Sequence, residues 1–330
     1  MKRSMASSTA KNNIYLFIGV IILITLFFIS LFVGRFPLSL SNILNGDEYQ
    51  IKVFWTLRFS RAIVGMLGGI SLGIAGFVYQ TIFRNPLAAP DIIGVSSGAS
   101  AGAAFGILFF SGAVSVTLCS FGGAIISVVL AILFSSLDRY DRKATVILAG
   151  IAVHSLAQTV LMILKTIADP EKQLASIEYW IMGSLNGVNS HMIMGNLILC
   201  VCCIAILLLL HRQTLLLSQD EGEAKMLGVD VSRMRFIILI VSTLVVAAIV
   251  SMTGLISFVG LLAPHCARRL TKDNSIRTML LGGIIGGIIL LAADILAKTV
   301  ASTELPVSIF TSLIGAPFLV FLIFKRRDNI

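Results

Sequence analysis

The chain is written as long apolar runs separated by short polar stretches. Ten runs stand out, near 14–33, 61–83, 92–111, 113–134, 145–166, 191–211, 236–252, 255–270, 279–300 and 308–324. Each is close to the ~20 residues that an α-helix needs to cross a bilayer. The pattern therefore predicts an all-α, polytopic membrane protein with about ten transmembrane helices. The eighth run is short and carries Pro264, which makes nine crossings the rival count.

Charge decides between the two counts. With the N-terminus inside and ten crossings, 18 of the 25 Lys and Arg residues fall on the inner side and 7 on the outer. Cytoplasmic loops carry such an excess. Removing one crossing inverts every later loop and spoils the bias. The expectation is a multi-pass protein of the bacterial cytoplasmic membrane, with N- and C-termini both cytoplasmic and residues 1–330 forming one transmembrane domain. The first run, Ile14 to Val33, is longer than a signal-peptide core, and Gly34-Arg35-Phe36 offers no small-x-small cleavage site. It reads as a retained first helix.

Composition agrees. The 330 residues are 57% hydrophobic and 12% charged, against about 25% charged in soluble domains. The net charge of +9 therefore reports basic cytoplasmic loops rather than nucleic-acid binding. The cysteines read as small apolar filler rather than as metal or disulfide chemistry. Glycines recur at steps of four: Gly65, Gly69 and Gly73; Gly98, Gly102 and Gly106; Gly282/Gly286 and Gly283/Gly287. Small residues at this spacing let helix backbones approach closely in lipid, here within one subunit rather than as a dimer motif.

Catalytic chemistry is not indicated. No G-x-x-x-x-G-K-[ST] or H-E-x-x-H occurs, and His154, His191, His211 and His265 are scattered. The expectation is no catalytic residue, no metal site and no cofactor. Asp294 is the notable intramembrane carboxylate. It lies four residues before Lys298, so a local pair is one reading and an ion-coupling relay the other. His154 and Gln158 share a helix face, where they either line a pathway or hydrogen-bond a neighbouring helix.

Three segments carry a resemblance. They are Arg84-Asn85-Pro86-Leu87-Ala88-Ala89-Pro90-Asp91-Ile92-Ile93-Gly94, then Gly254 to Arg269 (GLISFVGLLAPHCARR), and then Glu304-Leu305-Pro306-Val307 with Leu313-Ile314-Gly315-Ala316-Pro317-Phe318. In order, they closely resemble the FecCD-type permeases, the membrane subunits of bacterial ABC importers for ferric siderophores, haem and cobalamin. The similarity covers about Trp55 to Lys325. It implies a type II ABC importer permease fold. It also implies a second permease subunit, identical or homologous, two separate ATPase subunits, and an extracytoplasmic substrate-binding protein. The Ala89–Gly94 variant looks closer to siderophore permeases than to cobalamin ones, so an iron–siderophore complex is the expected cargo. Haem or cobalamin is the alternative, and an ion-coupled carrier or a non-transporting scaffold are the rivals of other classes.

The resemblance also implies residue roles. The cytoplasmic segment around 215–235 aligns with the family's coupling element, so that Gln219, Asp220, Glu221, Glu223, Ala224, Lys225, Leu227 and Gly228 would fill a groove on the ATPase. Arg58 and Arg61 at the mouth of the second span, and Lys298 at the end of the ninth, look like exposed docking partners for acidic residues of the binding protein. The family more often has Arg at the third position, so Lys298 departs from it. Arg58 and Arg61 run against the positive-inside bias.

Overall fold

A computed structural model describes residues 2–34, 36, 38–39, 41, 45–110, 112–136, 142–186, 190–219, 226, 230–301 and 303–327. Among these, all regular structure is helical. The helices are α1 (Lys2–Phe32), α2 (Glu48–Val53), α3 (Ser60–Ile82), α4 (Val95–Phe109), α5 (Ala113–Ser136), α6 (Arg142–Ile167) and α7 (Gln173–Met182). They continue as α8 (Ser190–Leu209), α9 (His211–Leu216), α10 (Val231–Thr253), α11 (Val259–Thr271), α12 (Ile276–Thr299) and α13 (Val307–Arg327). A π-helical turn, Phe54–Phe59, joins α2 to α3, and a 3₁₀ turn, Pro90–Ile93, precedes α4.

Among the described residues, six helical runs are long and apolar enough to cross a membrane: α1, the continuous α2–α3 run, α5, α6, α10 and α12. Three shorter apolar helices, in α4, α8 and α13, add to them. The remaining expected span, the eighth at 255–270, begins as a helix later than its apolar run. Residues 254–258 are non-helical, and α11 starts at Val259. Its 13 residues rise only about 20 Å, short of the ~30 Å hydrocarbon core. Gly254 (φ +69°) and Phe258 (φ +66°) make the break.

The core sits around α3, which is buried along most of its length. Glycine lets α12 press against it. A Cβ at Gly69 would fall on the Gly286 carbonyl, and one at Gly73 on the Gly282 carbonyl. The Gly98/Gly102 pair does the same for α4 against α5, meeting Gly123 and Cys119. The four-residue glycine steps thus serve packing within the subunit. Cys200 and Cys203, three apart on α8, are buried and carry no disulfide, the Cys200 thiol donating to the Val245 carbonyl at 4.0 Å.

The contacts along α3 set a depth scale of 1.5 Å per residue. Arg61 meets Asp294, Gly65 meets Leu185 and Leu291, and Gly76 meets Gly260. Arg268 meets Gln80 and Thr81. Pro90 packs on Gly260, which lies against the Leu72 carbonyl. The chain therefore leaves α3 at Ile82 and climbs back to about half its depth before α4 begins. Two helix breaks, at 83–94 and 254–258, meet inside the bundle.

Backbone groups freed by these breaks find partners. The Ser184 amide donates to the Thr253 carbonyl at 2.7 Å, and the Val307 amide to the Gly183 carbonyl at 3.1 Å. The Ser308 hydroxyl donates to the Leu255 carbonyl. Non-helical backbone at membrane depth is tolerated only where protein or water satisfies it.

Candidate functional site

Two polar clusters and one cavity stand out from the apolar body. The first cluster lies at the end of the bundle where α1, α3 and α12 converge. Arg61 Nε donates to Asp294 Oδ1 at 2.8 Å and Arg61 Nη1 to Glu304 Oε2 at 2.8 Å. Lys298 Nζ lies 2.5 Å from Asp294 Oδ2 and donates to Ser30 Oγ at 3.0 Å. The Ser30 hydroxyl reaches Asp294 Oδ2 at 3.5 Å. Arg58 caps the C-terminal end of α1, donating to the Val33 carbonyl and, at 3.1 Å, to the Phe36 carbonyl.

Burial corrects one expectation here. Arg58, Arg61 and Lys298 are only 8%, 7% and 3% exposed, so they are not free cations on an outer surface. Their heads are drawn inward because Asp294 is wholly buried and, ionised at this depth, needs paired and hydrogen-bonded cations. The i,i+4 pair of Asp294 with Lys298 is present as the spacing suggested. Arg61, 233 residues away, is the partner that helix periodicity had no means of finding. With both carboxylate oxygens engaged, Asp294 lacks the freedom of a relay group, and the ion-coupled carrier loses its main support. Arg61 Nη2 is buried without a hydrogen-bond partner among the described residues. Arg58, Arg61, Lys298, Glu304 and Asn186 line a hollow of about 180 Å³ at this end.

The second cluster closes the opposite end. Arg268, on the last turn of α11, donates to the Phe77 carbonyl at 3.2 Å and to the Thr81 hydroxyl at 2.7 Å. It also donates to Gln80 Oε1 and, at 3.3 Å, to Asn274 Oδ1. Its guanidinium carbon stands 4.5 Å from the centre of the Phe77 ring. The cation thus satisfies carbonyls at the C-terminal turn of α3, where a positive charge is favoured. Gln80 in turn donates to the Leu261 carbonyl at 2.9 Å.

Between the clusters, a cavity of about 310 Å³ opens where the two helix breaks meet, lined by Leu72, Pro90, Asp91, Ser96, Ser257 and Phe258 among others. His154 and Gln158 lie on α6, which packs against this region. The His154 amide nitrogen is 3.3 Å from where a Cβ at Gly94 would sit. In the single subunit His154 is exposed and Gln158 half-buried. Of the expected coupling residues only Gln219 is described, as an exposed bend after α9. Asp220, Glu221, Glu223, Ala224, Lys225, Leu227 and Gly228 lie outside the described residues. Among the described residues no three His, Cys, Asp or Glu side chains gather to hold a metal.

Comparison with known proteins matches this architecture. A sequence model of the FecCD transport family covers residues 22–325. The cobalamin import system permease protein BtuC of Halobacterium salinarum is 38% identical over 82% of this chain and 73% of its own. The molybdate import system permease protein MolB of Haemophilus influenzae is 34% identical over 91% and 92%. A solved metal-chelate-type ABC transporter in an inward-facing conformation superposes with a TM-score of 0.86 at 34% identity, covering 94% of this chain and 98% of that one.

Proposed function

The chain belongs to the FecCD transport family, and from that premise we propose that it carries an iron–siderophore complex across the bacterial cytoplasmic membrane. It is an ABC importer permease. Such a subunit works with a partner permease, with ATPases and with a binding protein. In the proposed cycle two ATPase subunits hydrolyse ATP, a second permease, identical or homologous, completes the pathway, and the binding protein delivers cargo from outside. Both termini face the cytoplasm, consistent with the basic residues of the loops on that side.

One observation carries the permease reading: a matching family fold whose two broken elements meet at a cavity midway through the bundle. Two observations support the finer roles. The Ala89–Gly94 segment resembles siderophore permeases. The unpaired Arg61 Nη2 beside a hollow at the outer end offers a donor to a carboxylate of the binding protein. The docking contact is then a buried, shape-defined one, and salt weakens it less than an exposed pair. At the other end the segment from Gln219 to Gly228 rides on the ATPase and passes on the closure of the nucleotide dimer.

The test is uptake of radiolabelled cargo, ⁵⁵Fe in ferric siderophores and haem and ⁵⁷Co in cobalamin, into proteoliposomes holding the permease, its ATPase and its binding protein. Uptake that requires both ATP and binding protein, and prefers ferric siderophores to cobalamin and haem, is expected. Preference for cobalamin or haem would replace the cargo and keep the permease. Uptake driven by a proton gradient with ATP clamped would overturn the importer itself.

A further inference from the structure

Asp91 is the acidic residue lining the mid-depth cavity, and the proposed function leaves it without a task. Its depth follows from its neighbours. Pro90 packs on Gly260, which touches the Leu72 carbonyl. Leu72 is eleven residues along α3 from Arg61, or about 16 Å. Ile82, at the other end of α3, is ten residues away, or about 15 Å. The carboxylate therefore stands near the middle of the membrane.

Its surroundings exclude two plain readings. Asp91 is exposed in the single subunit, and a carboxylate facing hydrocarbon at mid-depth is costly enough to be rare. The face that bears it, with His154 and Ser155 also exposed, is thus turned to water or to another subunit rather than to lipid. Nor is Asp91 only an anion for the start of α4. The Ser96 hydroxyl donates to Asp91 Oδ1. That contact does not require the 310 Å³ of space beside it. That space is walled by unwound backbone at 256–258, the arrangement that membrane carriers use where cargo passes.

We propose that Asp91 is a specificity-determining carboxylate on the translocation pathway, favouring cargo with cationic or hydrogen-bond-donating groups on its surface and rejecting free oxyanions. A fixed negative charge in a low-dielectric constriction concentrates cations and repels anions. Discrimination of this kind needs a repulsive element as much as an attractive one. Amine-bearing ferric chelates fit the site; a molybdate-like oxyanion does not. The inference rests on the permease reading and deepens it.

The experiment needs no identified cargo. The five native cysteines are replaced, Ser257→Cys is introduced into the same cavity, and the full complex is labelled in nucleotide-free and ATP-bound states. The probes are methanethiosulfonate ethyltrimethylammonium, a cation, and methanethiosulfonate ethylsulfonate, an anion, each rate being normalised to free cysteine. The expected result is a preference for the cation of about tenfold or more, abolished by Asp91→Asn and kept by Asp91→Glu. No reaction in either state would overturn the proposal, because the cavity would then not lie on a water-filled path. A preference unchanged by Asp91→Asn would overturn it too. Failure of the permease reading shows separately, as absence of ATP-dependent chelate uptake by the unsubstituted complex.

Discussion

Arg61 Nε and Asp294 Oδ1 lie 2.8 Å apart across the α3–α12 contact, both buried, with Lys298 on the other carboxylate oxygen. Two cations share one wholly buried anion. Glu304, only partly buried, balances the second charge. Removing one member of such a set leaves an uncompensated charge, which costs far more than the set contributes. Asp294→Asn is expected to destabilise the protein by about 3–5 kcal/mol, read as a fall in the unfolding midpoint in detergent. Adding Lys298→Met restores the charge balance and recovers part of the loss. A double-mutant cycle gives the coupling. Strictly additive effects would show that the two residues do not share a charge site.

Glycine contacts make a graded prediction. Gly286→Val places methyls on the Gly69 carbonyl, so α12 must move off α3, and overpacking of this sort costs about 1–3 kcal/mol or more. Gly122 has nothing within 4 Å of its would-be Cβ. Gly122→Ala is therefore expected to be neutral or to stabilise by up to about 1 kcal/mol, the difference in helix propensity. Equal effects at both positions would contradict the packing described.

Arg268→Lys keeps the charge at the end of α11 and loses the planar fork that spans Phe77, Gln80 and Thr81. Hydrogen bonds to charged groups are worth about 1.5–3 kcal/mol each when their loss strands a partner. A drop of at least about 2 kcal/mol in stability is expected, seen in thermal unfolding. Arg269, on a different face of the same turn, serves as the control position.

Coupling gives a functional prediction. Replacing Glu221 and Glu223 together by Gln should leave the permease folded and able to bind its ATPase partners, while ATP hydrolysis no longer drives uptake. The ratio of chelate transported to phosphate released in proteoliposomes reports this directly. An unchanged ratio would remove these residues from the coupling path.

What was legible in the sequence, and what was not, follows from the range of each interaction. Helices with 20-residue apolar runs and four-residue glycine steps are local patterns, and the structure holds them within a few residues, apart from α1, which begins at Lys2 and not near residue 14. The pair Asp294–Lys298 is also local, one helical turn apart. The break at 254–258 was legible only as a short eighth span, because residues 255–258 are apolar enough to pass for helix. What stops them is Gly254 and Phe258 at positive φ and the tie to Ser184, a tertiary contact. The inward turn of Arg58, Arg61 and Lys298 was missed for the same reason. Charge at a span end looks exposed until Asp294, Glu304 and the Val33 and Phe36 carbonyls are brought beside it. Asp91 carried no local signal of depth. Only the return of the chain to Gly260 places it mid-membrane.

The tie between Arg61 and Asp294 also has a meaning for how the chain is made. Asp294 follows Arg61 by 233 residues. A ribosome adding 5–20 residues per second delivers it roughly 12–47 s later. The Gly183 and Ser184 backbone groups likewise wait for Thr253 and Val307. Through that interval the early helices hold an unneutralised guanidinium and open peptide groups that lipid does not accept. The first half of this bundle therefore closes its own polar groups only when the last third of the chain arrives beside it.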